Sequence, residues 1–306
     1  MPTTTFGFAT RAALAGAAAL ATGANASAHE IKISFLHFND MYEIAAVDGA
    51  GGFAQLAAVL KREEAKNPHS IVTFGGALVG PAALASRAKN APMIDLANAA
   101  GIDVAVFGQP DFAQGTEALR QHIAESKFHW LDSNVVDADG KTPLGLRKIA
   151  FRIVEDEMDI KVDFLGLVAP DAAPAMPRIK FLPVIEAARE AVTALKAEGA
   201  HMIVALTSQP ADDDRALIAA VPEIDMVLGG RDRERLNASV NKIPLVKTSM
   251  SGEDLVKIDS LINAHGQLRT LRNSVNRYDT KGVAGDPEIA ALVAKWTEIA
   301  QGRAPK

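Results

Sequence analysis

Two kinds of side chain that could do chemistry come directly after apolar segments of this sequence. Asp40 and Asp111 offer carboxylates, which bind divalent metals or act as general bases. Arg231 and Arg233 offer paired guanidinium groups, which bind phosphate, sulfate or carboxylate through bidentate hydrogen bonds. The sequence therefore raises a choice between metal-dependent chemistry and anion binding.

The elements that must position these side chains alternate between strands and helices. Apolar segments and segments with period-two alternation predict strands, and apolar residues at helical spacing predict helices. The predicted strands cover residues 31–38, 70–74, 102–107, 128–136, 146–154, 161–168, 202–207, 224–228, 255–263 and 267–275. The predicted helices cover residues 53–66, 93–100, 117–126, 184–198, 215–221 and 287–300. This alternation indicates an α/β sandwich.

Loops at the carboxyl ends of strands in α/β folds converge on one crevice, where ligands bind. The residues just after the predicted strands are therefore the candidates for a site. These candidates are Asn39, Asp40, Tyr42, Ala77, Gln109, Pro110, Asp111, Ser208, Arg231 and Arg233. We expect them to lie together although they are spread over most of the chain.

The motifs at these positions resemble the catalytic domain of the calcineurin-like metallophosphoesterases, in their 5′-nucleotidase branch. The segments that carry the resemblance are LHFNDMYE, the helix start Gly51-Gly52-Phe53, VTFGG, DVAVFG and EIDMVLGG, within residues 31–275. The resemblance implies a four-layer α/β/β/α sandwich with two mixed sheets.

The resemblance also implies two divalent metals, which the family binds through Asp, His and Asn side chains. Here Asp40 stays in place, and Tyr42 stands where many relatives have His. The replaced ligand positions are Ala77 for Asp, Gln109 and Pro110 for an Asn-His pair, Ser208 for His, and Arg231 and Arg233 for two His.

The replacing side chains are poor metal ligands. Ala and Pro side chains have no lone pair, and Arg is a donor only. A guanidinium about 4 Å from a divalent cation is repelled by roughly 8 kcal/mol at an effective dielectric constant of 20. We therefore expect that the chain has lost the metal centre and binds no metal cofactor.

Two interpretations of the arginines stay open. Arg231 and Arg233 form an anion-binding pocket in one of them. In the other, one arginine pairs with Asp40, Asp111 or Asp232 and the second points to solvent. Asp40 itself either caps the turn after the first strand or keeps a functional role in a remnant site with Asn39, Tyr42 and Asp111.

The first 28 residues have the pattern of a secretory signal peptide. Arg11 precedes an apolar run over residues 12–21, and a small-residue stretch ends at residues 26–28. A positive start, a short apolar run and an A-x-A-like site form this pattern. We therefore predict a signal peptide at 1–28, a metallophosphoesterase-like domain at 29–280, and a C-terminal helix at 281–306 that resembles the start of the family's interdomain linker. A periplasmic or secreted location follows from the signal peptide.

Composition narrows the classes of function. The 306 residues contain no Cys, which excludes disulfides and thiolate sites, and their net charge of −5 argues against a nucleic-acid partner. No segment is long enough to predict a transmembrane helix.

We expect a pseudoenzyme that acts by binding a protein partner or a small anion. The alternatives are a 5′-nucleotidase-like phosphoester hydrolase with an atypical site, and a periplasmic anion-binding protein. The prediction therefore leans away from an enzyme without excluding one.

Overall fold

The computed structural model describes residues 30–79, 91–113, 115–137, 140, 148–155, 158–169, 179–265 and 268–302. The predicted signal peptide at 1–28 lies outside these residues. Within the described residues, no helix is long and apolar enough to span a bilayer.

Strands and helices alternate through most of the described chain. The strands are β1 (Ile31–Phe38), β2 (Ser70–Phe74), β3 (Val104–Val106), β4 (His129–Leu131), β5 (Val135–Asp137), β6 (Lys148–Glu155), β7 (Met158–Val168), β8 (Ile179–Phe181), β9 (Met202–Ser208), β10 (Met226–Gly230), β11 (Leu236–Val240), β12 (Ile243–Lys247), β13 (Asp254–His265) and β14 (Leu268–Asp279). The helices are α1 (Gly52–Glu64), α2 (Ala91–Ala100), α3 (Thr116–Glu125), α4 (Val184–Ala197), α5 (Ala211–Ala220) and α6 (Pro287–Ala300), with a 3-10 helix at Gln109–Phe112.

The strands form two mixed six-stranded sheets and one small antiparallel pair. The first sheet has the order β14-β13-β1-β2-β3-β4, and the second has the order β11-β12-β10-β9-β7-β6. In the first sheet β1 to β4 are parallel, and β13 and β14 extend it as an antiparallel hairpin. In the second sheet β7, β9, β10 and β12 are parallel, with β6 and β11 antiparallel at its edges.

The two sheets pack face to face, and helices cover their outer faces. Phe35 of β1 meets Phe164 of β7 edge-on, with 6.1 Å between ring centroids. The next residue, Leu165, belongs to a second apolar cluster with residues of α4 and α5. Helices α1, α2 and α6 contact one another on the side of the first sheet. The architecture confirms the predicted four-layer α/β/β/α sandwich.

Several predicted elements differ from the observed ones. The predicted strand 128–136 is wrong as one strand, because β4 joins the first sheet whereas β5 pairs with β8. The sequence pattern predicted no strand at the positions of β8, β11 and β12. Strand β11 is polar on its exposed positions, which hides a strand from a search for apolar runs.

Candidate functional site

A pocket of about 340 Å³ lies where the carboxyl ends of strands from both sheets meet. Loops after β1, β2 and β3 form one side, and loops after β9 and β10 form the other. The lining residues are Asp40, Tyr42, Ala77, Gln109, Pro110, Ser208, Arg231, Asp232 and Arg233. The structure thus brings together eight of the ten residues that the sequence singled out, and adds Asp232.

Two glycines allow the backbones at the ends of β2 and β10 to approach each other closely at this pocket. Gly75 directly follows β2, and Gly230 is the last residue of β10. A Cβ on Gly230 would lie 2.1 Å from the carbonyl oxygen of Gly75, and a Cβ on Gly75 would lie 3.1 Å from the backbone nitrogen of Gly230. Only residues without side chains fit at such a backbone approach, so these glycines set the width of the site.

Asp40 is 1 % exposed, and both of its carboxylate oxygens accept hydrogen bonds. Oδ2 accepts from the Arg231 backbone N–H at 2.7 Å and from the Asn39 side-chain amide at 2.8 Å. Oδ1 accepts from the Tyr42 hydroxyl at 3.0 Å. Burial raises the pKa of Asp40, while these hydrogen bonds and the Arg233 charge lower it. Asp40 therefore connects the loop after β1 to the loop after β10.

Tyr42 and Arg233 form a second link across the pocket. The Arg233 guanidinium lies over the Tyr42 ring, 4.7 Å from its centroid, a cation–π arrangement. Burial and the charge of Asp40 raise the pKa of the Tyr42 hydroxyl, so the phenol stays protonated and donates to Asp40. Arg233 is exposed, whereas Arg231 is partly buried and has interaction partners within the protein.

The backbone around the pocket is held in an unusual conformation. Asp40, Ala77, Arg231 and Arg233 all have positive φ, at 53°, 63°, 81° and 59°. L-residues pay roughly 1 kcal/mol for this left-handed region, and such residues concentrate at functional sites.

Asn39 and Asp111 have a different placement from the other candidates, because neither lines the pocket. Asn39 accepts from the backbone N–H and the hydroxyl of Thr248, at 2.9 and 2.6 Å, and so orients Asp40 from behind. Asp111 is 1 % exposed and accepts four backbone N–H groups. Burial raises the pKa of Asp111 to about 6, although these donors stabilise its charged form. Asp111 is therefore a loop anchor rather than a carboxylate that faces the site.

The residues present do not fit the two-metal centre that the resemblance implies. Both oxygens of Asp40 are already engaged by donors. Ala77 and Pro110 have no lone pair to offer, and two guanidinium groups add positive charge to the same wall. Within the described part of the chain, no group of three or more His, Asp or Glu side chains is arranged to hold a metal ion.

Lys247 is a buried charged residue behind the pocket that the sequence reasoning missed. It ends β12 and is 1 % exposed. Its ammonium lies 2.7 Å from Asp232 Oδ2, and Asp232 lines the pocket. The sequence did contain a signal for it: Lys247 directly follows the apolar run Pro244-Leu245-Val246. A charged residue at the end of a buried strand needs a partner of opposite charge, so such a lysine can be singled out before the structure is known.

Comparison with known proteins gives relatives in sequence and in fold. No protein-family model matches the chain. A 2′,3′-cyclic-nucleotide 2′-phosphodiesterase/3′-nucleotidase of Haemophilus influenzae is 26% identical over 309 residues, which covers 85% of this chain and 47% of that protein. A probable 5′-nucleotidase of Treponema pallidum is 25% identical over 220 residues and covers 66% of this chain and 37% of that protein. The chain thus spans less than half the length of these two curated relatives.

The crystal structure of the calcineurin-like phosphoesterase YfkN from Bacillus subtilis matches the fold with a TM-score of 0.80. It is 18% identical, and the match covers 90% of this chain and 99% of that one. The structure of a 5′-nucleotidase precursor from Thermus thermophilus matches with a TM-score of 0.73 over 89% of this chain and 59% of that one, at 15% identity. Together with the motifs at the strand ends, these findings show that the chain is similar in sequence and in fold to calcineurin-like phosphoesterases and 5′-nucleotidases.

Proposed function

We propose that this protein is a non-catalytic member of its family that binds a small anion in the strand-end pocket. One observation carries the proposal: two arginines, which stand where the resemblance implies metal ligands, line a pocket of about 340 Å³. Positive charge that metal ions supply in the family is supplied here by Arg231 and Arg233.

The chemistry of the wall suits an anion with several acceptor oxygens. A guanidinium whose carbon lies over an aromatic ring, as that of Arg233 does over Tyr42, still has N–H donors to offer a ligand. The Gln109 amide and the Ser208 hydroxyl line the same pocket and are further donors. Sulfate and phosphate match this set, and so does the carboxylate of a protein partner.

The first test concerns metal. After equilibration with Mn²⁺ and Zn²⁺ and removal of free ions, we expect elemental analysis to find far less than two ions per chain, because Asp40 is the one carboxylate in the ligand set. Two tightly held ions per chain would contradict the proposal.

An activity assay accompanies the metal measurement. We expect no turnover of an aryl phosphate or of AMP with either metal. Turnover that disappears in Asp40→Ala would instead favour the alternative, a phosphoester hydrolase with an atypical site.

The second test concerns anions. Sulfate at ten times its dissociation constant stabilises a folded protein by about 1.4 kcal/mol, and we expect thermal unfolding at constant ionic strength to show this shift. The shift should be lost in Arg233→Gln. The matched control is Arg272→Gln, since Arg272 lies on β14 and pairs with Glu30. Equal shifts in both variants would mean that sulfate acts elsewhere.

We also propose that the chain is exported to the periplasm or secreted. This proposal rests on the sequence pattern of residues 1–28. Sequencing the amino terminus of protein recovered from its host tests it: a terminus at His29 is expected, and a chain that retains Met1 would contradict export. Capture of a partner from the same fraction, competed by excess sulfate, would distinguish a protein carboxylate from a free anion.

A further inference from the structure

Lys247 has a complete shell of oxygen atoms around its buried ammonium group. The Nζ atom donates to the carbonyl oxygens of Gln209 at 2.6 Å and Gly230 at 3.0 Å. It also lies 2.9 Å from Asp214 Oδ2 and 2.7 Å from Asp232 Oδ2. Two hydrogen bonds and two ion pairs thus hold the buried ammonium in one position.

The shell joins the two loops that form one side of the pocket. Gln209 follows the pocket residue Ser208, and Gly230 precedes the pocket residue Arg231. The ammonium therefore lies directly behind the pocket wall, in contact with the backbone on either side of it.

The backbone is shaped to admit the lysine side chain at this place. A Cβ on Gly229 would lie 2.9 Å from Lys247 Cε, 3.0 Å from Thr207 Oγ1 and 3.1 Å from Asp214 Oδ2. The absence of a side chain at Gly229 leaves the space through which the lysine reaches the two carboxylates.

The two carboxylates differ in what they face. Asp214, in the first turn of α5, is fully buried. Asp232 keeps 29% of its side chain exposed and lines both the strand-end pocket and a neighbouring pocket of about 360 Å³. A structural ion pair would need Asp214 alone, whereas the contact with Asp232 acts on a charge in the pocket wall.

Asp232 stands between the two arginines in sequence, and its charge opposes theirs. An unpaired carboxylate there would attract the guanidinium groups or repel an incoming anion. We propose that Lys247 is a positioning residue for anion binding, which neutralises Asp232 and so leaves the positive charge of the exposed Arg233 for the ligand. This inference rests on the proposed function.

The test measures sulfate affinity by calorimetry in wild type, Lys247→Met and the double variant Lys247→Met/Asp232→Asn. We expect Lys247→Met to weaken sulfate binding by about tenfold, since one unpaired charge now faces the ligand. Removal of that charge in the double variant should restore affinity to near the wild-type value. A merely structural lysine would not be rescued by Asp232→Asn, so a double variant as weak as the single one overturns the inference.

A second measurement covers the case in which Lys247→Met does not fold. Asp232→Asn alone removes a carboxylate that Lys247 already neutralises in wild type, so we expect it to bind sulfate within about threefold of wild type. Binding tighter by tenfold or more would mean that Asp232 opposes the anion despite the lysine, and would overturn the inference. If wild-type protein binds no sulfate, the proposed function fails and this inference fails with it; if wild type binds and neither variant responds as expected, the inference alone fails.

Discussion

Asp111 shows at the scale of one residue why a carboxylate near a site need not belong to it. Oδ2 accepts from the backbone N–H of Gly108 at 2.7 Å and of Ala77 at 3.0 Å. Oδ1 accepts from Leu78 at 2.9 Å and Val79 at 2.7 Å. One side chain thus holds the loop after β2 against the turn after β3, and with it the position of Ala77 in the pocket wall.

Replacement of Asp111 by Ala should therefore destabilise the protein strongly. The change leaves four backbone N–H groups without their acceptor in a buried place, so we expect a loss of about 3 kcal/mol in the free energy of unfolding. Urea unfolding measures it. The control is Gln109→Ala, an exposed pocket residue, which should change stability by less than about 0.5 kcal/mol; equal losses in the two variants would contradict the anchoring role.

His37 connects elements of both sheets beneath the pocket. Its Nε2–H donates to the Gly229 carbonyl of β10 at 3.1 Å, and its Nδ1 accepts from the Thr73 hydroxyl of β2 at 3.0 Å. Burial lowers the pKa of His37 from 6.5 to about 4. The native fold therefore holds a neutral imidazole at the junction of the strands, and because both ring nitrogens have hydrogen-bond partners, neither is available to bind a ligand.

The lowered pKa of His37 gives a pH dependence with a definite sign. The unfolded chain takes up a proton near pH 6.5 and the folded chain only near pH 4, so stability is fully present above 6.5 and declines as the pH falls toward 4. The loss is about 3 kcal/mol. Because Asp111, whose pKa is raised to about 6, titrates in the same range with the opposite sign in both proteins, the loss is measured as the difference between the urea-unfolding pH profiles of wild type and His37→Gln, which cannot titrate at this position. Parallel pH profiles would refute the assignment.

Helix α6 belongs to the packing of the whole molecule. Ile289 and Val293 lie in the main apolar cluster, the Trp296 indole N–H donates to Asp95 at 2.8 Å, and Asp286 caps the helix by accepting from the Ile289 N–H at 3.1 Å. The segment that resembles an interdomain linker is thus docked on α1 and α2.

Replacement of Ile289 by Ala leaves a cavity under α6 and should lower the free energy of unfolding of the whole fold. Ile289 is 1 % exposed, and replacement of a buried Ile by Ala costs about 2–4 kcal/mol. We expect this loss in one cooperative unfolding transition followed by circular dichroism. Ala291→Ser, on the exposed face of the same helix, should leave the midpoint nearly unchanged. A separate early transition in Ile289→Ala would show that α6 unfolds independently.

The sequence by itself determined the fold class, the family resemblance and the side chains at the strand ends. The spacing of apolar residues and the apolar content of a segment are local properties of the sequence, so they predict helices and strands directly. Parallel strands then bring their carboxyl ends to one edge of the sheet, however far apart they lie along the chain. The sequence also showed that the side chains of Ala77 and Pro110 cannot bind a metal, because a side chain without a lone pair is no ligand in any conformation.

Only the tertiary structure decided which polar groups face the pocket and which support it. Asp40 and Asp111 look alike in sequence, but one lines the site and the other is enclosed by backbone N–H groups. Lys247 reaches Asp232 and Asp214 because β12 lies beside β10 in the second sheet. These orientations depend on how two sheets meet through Gly75 and Gly230, and contacts between residues far apart in the chain leave no local pattern to read.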